Sequence, residues 1–383
     1  MTPAARVQAA IEVLDRIGPD MAAEQALTNW ARGARFAGSK DRAAVRDHVY
    51  EVMRQRRSVA ALGGGGTGRQ SMLGLLRLND VPPEPLFSGE GYGPLPLSVD
   101  EQNSGRPPEG VETLDLPDWL AERFAADLGA DSEAVARALK SRASVFLRVN
   151  SLRCSVQQAI DSLSEEDISV APHPLSPQAL VVVTNARRVA QSEAYQDGWV
   201  ELQDAASQAV VDLLPLRNGQ RVLDYCAGGG GKTLAMAARL DGSVEAFDAN
   251  PGRLRDLPVR AARAGAAVEI VERCEGLYDL VLCDVPCSGS GAWRRSPEGK
   301  WTLTPHKLEA VQGVQAQILR KASHLVRPGG CLAYVTCSVL KSENGDQIKL
   351  FMAENAGWEL GETRQFLPAD GGDGFFVCCL TRL

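Results

Sequence analysis

The sequence predicts an α/β protein with a mostly parallel sheet covered by helices on both faces, preceded by a small α+β unit and an all-helical segment. Three observations predict it. From Arg221 onward, short apolar runs alternate with stretches of helical periodicity, the pattern of strand–helix–strand crossovers. The first run, Arg221-Val222-Leu223-Asp224-Tyr225-Cys226, leads through Ala227 into four glycines, Gly228 to Gly231, and then Lys232-Thr233. A turn without Cβ atoms lets the backbone touch a ligand, and the helix start behind it offers unpaired N–H groups. Later runs also close on acids: Asp248, twenty residues after Gly228, and Asp284, which leads into Pro286-Cys287-Ser288. Doubly wound folds place a ribose-binding acid at the first of these positions.

Taken in order, residues 4–60 are expected to be helical. Val7, Ile11, Leu14 and Ile17 share one face, and Val45, Val49, Val52 and Met53 repeat the stripe. Ser39 is the expected N-cap of the second stripe's helix, and Arg54, Arg56 and Arg57 crowd its end, where cations suit the dipole. Contact with RNA phosphates is the alternative reading of those arginines. Gly63 to Gly66 predict a flexible interhelical loop, since no strand precedes them. Proline and glycine from Val81 to Glu109 mark a surface connection. Pro117 opens a helix with Leu116, Leu120, Phe124 and Leu128 on one side. Val145–Asn150 and Ala179–Val183 are predicted strands flanking a helix at Val156–Leu163, and Gly198–Asp204 a short strand before a helix at Ala205–Leu214.

Beyond that point the expected strands are 221–226, 244–248, 267–272, 278–284 and 331–336, with helices at 232–240, 251–264, 307–326 and 342–354. Phe375–Leu380 is apolar throughout, like a buried strand. The domain boundaries implied are 1–110, including a linker from about 81, then 111–204 and 205–383.

Composition narrows the function. The 383 residues are 44% apolar, without a run long enough to span a bilayer and without an apolar leader segment. A cytoplasmic, monomeric chain with no membrane partner is expected. Eight of the nine cysteines follow residue 220, several inside apolar runs, which suits reduced thiols better than a disulfide framework. Cys283 and Cys287 lack a second Cys or His pair at finger-like spacing, so no metal is expected. The net charge of −7 is unevenly spread: residues 80–140 carry four Lys/Arg against thirteen Asp/Glu, while 1–60 carry ten against seven. Basic surface for a polyanion therefore remains.

Gly231-Lys232-Thr233 with Asp284 imitates a phosphate-binding loop, but that motif needs a glycine where this chain has Cys226. A nicotinamide dehydrogenase would leave Asp284-Val285-Pro286-Cys287 without a role. S-adenosylmethionine fits better, with its ribose on Asp248 and its methionine end over the glycine turn. Two thiols then stand out. Cys287 follows the strand ending at Asp284, and Cys337 follows the strand ending at Thr336. If those strands are neighbours, both thiols lie at the carboxyl edge, where open α/β sheets bind ligands. A thiolate added to carbon 6 of cytosine makes carbon 5 nucleophilic, splitting one hard step into two. Such a thiolate should sit near positive charge or a helix start, and Ser342-Glu343-Asn344 is the expected start. Cys283, Cys331, Cys378 and Cys379 read as inert buried thiols, and Cys226 and Cys274 are left open.

Cys226–Thr233, Asp284–Gly291 and Thr336–Asn344 together resemble the Sun-type, RsmB-like RNA 5-methylcytosine methyltransferases. Phe146–Asn150, Asp197–Gln208 and Asp373–Phe376 match as well, and residues 1–110 more weakly resemble a NusB-like RNA-binding domain. The resemblance implies a Rossmann-like class I methyltransferase domain with a mostly parallel seven-stranded sheet, behind a small RNA-recognition-like domain. It implies that Cys337 is the nucleophile, that Cys287 helps release the methylated RNA, and that Asp284 holds the cytosine's polar edge, with Lys232 in the active site. Cys226, Ala227, Gly228, Gly229, Gly230, Gly231, Lys232, Asp248, Asp284 and Glu272, in place of the family's third acid, would bind S-adenosylmethionine. Gly229 replaces the family's usual proline, and the segment 273–278 is short. The implied substrate is small-subunit ribosomal RNA. Transfer RNA, or a non-catalytic RNA-binding or ribosome-assembly role, are the alternatives.

Overall fold

The computed structural model describes all residues from Met1 to Leu383. They form two compact units: Met1–Arg142 with Trp293–Leu303, and Ala143–Ala292 with Thr304–Leu383.

The first unit is helical. Its opening helix, Pro3–Leu14, starts on Thr2, whose Oγ1 accepts from the Ala5 N–H at 3.2 Å, with proline in the first turn. The predicted stripes pack: Val7, Ile11, Val45, Val49, Val52 and Met53 lie in one core with Trp30, Met72 and Leu75. Gly38, not Ser39, precedes the helix Ser39–Arg54, and Asp41 accepts from its N–H. That helix breaks at Gln55, so Arg56 and Arg57 begin the next one, Arg56–Gly63, instead of capping the first. Gly64 to Gly66 connect the helices Arg56–Gly63 and Gly68–Leu78, as an interhelical loop was expected to, but Gly63 ends the first helix in close contact with the second. A Cβ on Gly63 would lie 1.9 Å from the Gln70 carbonyl oxygen, and one on Gly74 1.8 Å from that of Val59. The helices Arg56–Gly63 and Gly68–Leu78 therefore meet backbone to backbone, which larger residues would forbid.

The segment Trp293–Leu303 completes this unit. Lys300 Nζ and Trp301 Nε1 donate to the Arg54 and Met53 carbonyls, each at 2.7 Å, satisfying open groups at the helix end. Arg54 Nε donates in turn to the Arg294 carbonyl at 2.8 Å. Trp293 is buried and stacks on Phe124 with ring centroids 6.1 Å apart. Burial lowers the Lys300 ammonium to a pKa of about 7. Arg54, whose alternative reading in the sequence was RNA contact, is thus a buried structural residue, and so are Trp293 and Arg294.

The second unit holds both sheets. β1 (Phe146–Val149), β2 (Val170–Pro172), β3 (Ala179–Val182) and β4 (Val200–Leu202) form a small antiparallel sheet in the order β2-β3-β1-β4. The large sheet comprises β5 (Val222–Asp224), β6 (Val244–Ala246), β7 (Val268–Ile270), β8 (Tyr278–Asp284), β9 (Val326–Thr336), β10 (Trp358–Phe366) and β11 (Phe375–Arg382). Its order is β10-β11-β9-β8-β5-β6-β7. The pairs β5–β6, β5–β8, β6–β7 and β8–β9 are parallel, while β9–β11 and β10–β11 are antiparallel. Leu280, Val281, Leu282 and Cys283 of central β8 are wholly buried, as expected of a strand covered on both faces.

Three expectations shift. β9 starts at Val326, with an irregular register against Tyr278 and Leu280. The helix expected over 251–264 is a 3-10 turn, Pro251–Leu254, followed by the helix Leu257–Ala264, whose second residue is a proline. The helix expected from Ser342 begins at Gly345, after a 3-10 turn at Lys341–Glu343.

Candidate active site

The site is built on the carboxyl edge of β5, β6 and β8 and its continuation into β9. After β5 the chain makes a tight turn, with the Gly230 N–H bonded to the Ala227 carbonyl at 2.8 Å. Gly228 and Gly230 take φ values of +50° and +80°, a region open to glycine but costly for other residues. A Cβ on Gly230 would also lie 2.2 Å from Leu257 Cδ1. The turn has a conformational and a packing reason to be glycine.

Asp248 follows β6 and is almost wholly buried. Its oxygens accept from the Gly228 and Asn250 N–H groups, each at 2.9 Å, and the Arg253 guanidinium lies 3.2 Å away. Asp224, at the end of β5, accepts from Thr233 Oγ1 at 2.7 Å, while its other oxygen, Oδ1, is buried with no hydrogen-bond partner. Burial pushes the Asp224 carboxyl up to about 7, against the hydrogen bond from Thr233. The glycine turn, Asp248 and the orphaned oxygen make a polar cradle of the kind a ribose-bearing ligand needs, with the half-exposed Arg253 lying against Asp248. Cys226 stands beside the cradle, its thiol pKa raised chiefly by burial. Glu272 lies on an exposed turn beyond edge strand β7.

Lys232, buried in the first turn of the short helix Gly231–Ala237, reaches across to β8. Its Nζ lies 2.7 Å from Asp284 Oδ2 and 4.7 Å from the centre of the Phe375 ring. The pairing and the ring offset the cost of burying the charge.

β8 and β9 are parallel neighbours, with Asp284 paired to Val335. The loops that leave them bring Cys287 and Cys337 together, sulfur to sulfur at 3.2 Å. Cys287 is held well above the ordinary thiol range, first by its hydrogen bond to Cys337 and then by burial. Beneath the thiols lies a carboxylate that the sequence reading passed over. Glu343 is wholly buried, and its oxygens accept from the Ser288 N–H at 2.7 Å, Gln315 Nε2 at 3.0 Å, and the hydroxyls of Ser288 and Ser338, each at 2.5 Å. Asn344 continues the network, accepting from Thr336 Oγ1 at 2.6 Å and donating to the Ser338 carbonyl at 2.9 Å. In sequence, Glu343 looked like part of an ordinary helix start. The available signal was an acid a few residues behind a Thr-Cys-Ser triplet.

Residues 211–380 match the family described as "16S rRNA methyltransferase RsmB/F", and residues 116–189 match its ferredoxin-like domain. A protein of Yersinia pseudotuberculosis named "Ribosomal RNA small subunit methyltransferase B" is 33% identical over 278 residues, 68% of this chain and 65% of its own length. The chain belongs to the RsmB/F methyltransferase family. A similarly named Serratia proteamaculans protein is 30% identical over 285 residues, 70% of this chain and 66% of its own. The chain thus spans about 65% of the length of these RsmB relatives. Among solved structures, PH0851 covers 100% of this chain and 99% of its own at TM-score 0.76 and 22% identity. NSun6 from Pyrococcus horikoshii with SFG covers 70% and 98% at TM-score 0.63 and 18% identity. These two establish the shared fold. No helix is long and apolar enough to cross a membrane, and no group of three or more His, Cys, Asp or Glu is placed to hold a metal ion.

Proposed function

We propose that this RsmB/F protein transfers a methyl group from S-adenosylmethionine to carbon 5 of a cytosine in RNA. The observation that carries the reading is the pair of thiols 3.2 Å apart at the carboxyl edge that also carries the Lys232–Asp284 pair and the glycine turn. When bound, S-adenosylmethionine supplies an electrophilic methyl group on a sulfonium.

The residues divide the remaining work. Cys337 loses its proton and adds through sulfur to carbon 6 of the ring, while Asp284 holds the polar edge and passes a proton to ring nitrogen 3, where the electron pair displaced by the addition gathers. Lys232, neutralised by Asp284 in the free protein, keeps that carboxylate in place. Cys287 retains its proton and donates to the Cys337 sulfur, so Cys337 is the thiol free to act as the nucleophile. Once Cys337 is a thioether it no longer carries charge, and the largest cause of the raised Cys287 pKa disappears. Cys287 can then give up its proton to solvent, and the resulting thiolate takes the proton from carbon 5; the electron pair released there restores the carbon 5–carbon 6 double bond and expels Cys337 as a thiolate, freeing the methylated RNA. A base inside structured RNA must be unstacked to reach this edge, so loops and single strands are the favoured substrates.

Small-subunit ribosomal RNA is the proposed target, supported by the names of the 33% and 30% identical relatives. The helical segment 1–110 serves as the RNA-binding domain, 111–204 as a second RNA-recognition element and 205–383 as the catalytic domain. Two thiols this close stay reduced only where disulfides are kept open, which supports a cytoplasmic location. Bisulfite sequencing of ribosomal and transfer RNA from a deletion strain, with complementation by the wild-type gene, tests the reading. One 5-methylcytosine lost from small-subunit RNA and restored on complementation is expected. Loss from transfer RNA would move the substrate, and no loss anywhere would favour an assembly factor that keeps the fold.

A further inference from the structure

The two thiols are fifty residues apart in sequence and sit on separate loops, so something must fix their separation. β8–β9 pairing ends near Asp284 and Val335, before either cysteine is reached. Beyond it, the Gly291 N–H donates to the Cys337 carbonyl at 3.0 Å, and one buried acid draws donors from the residues next to both thiols. Glu343 Oε2 receives the hydroxyl of Ser288, directly after Cys287, and that of Ser338, directly after Cys337. Its other oxygen receives the Ser288 N–H and Gln315 Nε2, and Gln315 Nε2 also donates to the Pro286 carbonyl at 3.0 Å, just before Cys287. The hydroxyls of Ser290 and Ser338 lie 2.8 Å apart, and Ser290 Oγ accepts from the Val339 N–H at 2.9 Å. The Tyr334 hydroxyl donates to the Glu343 carbonyl at 2.6 Å, anchoring the acid to β9.

We propose that Glu343 is a positioning residue that clamps the Cys287 and Cys337 loops together, its buried carboxylate setting the distance between the two thiols. A carboxylate suits the task because two oxygens can accept from several donors at once, and charge-assisted bonds are short and strong. Burying that charge is costly unless the donors stay in place, so opening either loop strips it of partners. The loops are therefore held as one body. The negative charge also adds to the causes that keep the proton on Cys287. The proposal rests on the two-thiol reading above, although the geometry it concerns can be tested without RNA.

The test is the rate at which diamide links Cys287 to Cys337 in the full-length protein. Two thiols give two hydrogens and two electrons to the azo bond, which becomes a hydrazine, and the sulfurs join. Peptide mass spectrometry follows the linked pair, and protection of buried Cys331 and Cys379 from alkylation reports that each variant is folded. Wild type should link rapidly. Glu343→Ala should link more slowly by on the order of tenfold, whereas Glu343→Gln, which keeps an acceptor oxygen, should recover most of the rate. Ser288→Ala, which removes one arm and spares the buried acid, should show a smaller slowing of the same sign and decides the matter if Glu343→Ala fails to fold. Linking at the wild-type rate in folded Glu343→Ala, or in Ser288→Ala, overturns the clamp. Methyl transfer to RNA is then measured on the same proteins. Slowed linking in the variants beside a wild-type protein that methylates no cytosine would sink the proposed reaction and leave the clamp standing, while unslowed linking in variants of an active wild type would do the reverse.

Discussion

Lys232 and Asp284 form a 2.7 Å ion pair across the carboxyl edge of the sheet, between a helix that follows β5 and the last residue of β8. Removing one partner leaves the other exposed to the full cost of burial. Asp284→Asn should lower stability by about 1–2 kcal/mol, since the carboxylate is partly open to solvent, and methyl transfer by roughly 10²–10⁴-fold. Thermal denaturation and a tritium-transfer assay check both, and near-normal turnover would end the role given to Asp284.

The thiols should separate by phenotype. Cys337→Ala is expected to bind S-adenosylmethionine normally and to transfer no methyl group. Cys287→Ala is expected to stall after addition, so that a denaturation-resistant protein–RNA adduct builds up on a gel. Adduct formation by Cys337→Ala would exchange the two assignments.

Asp248→Ala should weaken S-adenosylmethionine binding at least about tenfold, equivalent to about 1.4 kcal/mol, because the acid accepts from the Gly228 N–H and is the proposed partner of the ribose hydroxyls. Arg253→Ala should tighten it modestly by freeing the carboxylate from its ion pair. Calorimetry on the two variants distinguishes them by sign.

Asp224 predicts a pH effect. Its folded pKa is raised to about 7 from a model-compound value of 3.8, so between those values the folded state holds a proton that the unfolded chain has lost. Stability from this group is therefore fully present at low pH and falls as pH rises through that window. Asp224→Asn, neutral throughout, should gain on the order of 2–4 kcal/mol relative to wild type at pH 8 and little near pH 4. Denaturant titrations at both values measure the difference, and a gain independent of pH would refute it.

Gly229 and Gly230 should respond differently to a methyl group. Gly230→Ala meets both an unfavourable φ and Leu257 and should cost about 1–3 kcal/mol. At Gly229 the nearest atom to an added Cβ is Arg260 Nη1 at 3.4 Å, so Gly229→Ala should lie within about 0.5 kcal/mol of wild type. Equal losses at the two sites would contradict the turn geometry.

The parallel core was legible because its strands are buried on both faces and written as unbroken apolar runs, as in Leu280–Cys283. The glycine turn and the two cysteines were legible because their chemistry is local and their spacing unusual. β10 was missed because it is an edge strand exposed along most of its length, and its polar residues carry no burial signal. Gly63 was misread because a close helix contact and a loop use the same residue. Glu343 was missed for a related reason. An acid buried among hydroxyls 50 residues apart in sequence looks, locally, like any acid near a helix start.

The excursion through Trp293–Leu303 bears on how this protein can be dissected. A fragment beginning at Ala143 would still carry Trp293, Lys300 and Trp301, but without Phe124 and the carbonyls of Met53 and Arg54 that receive them. Two indoles and an ammonium would be turned loose immediately downstream of Cys287, making the truncated product prone to aggregate. Exchange of the front half between homologues should therefore succeed only when this thread travels with it.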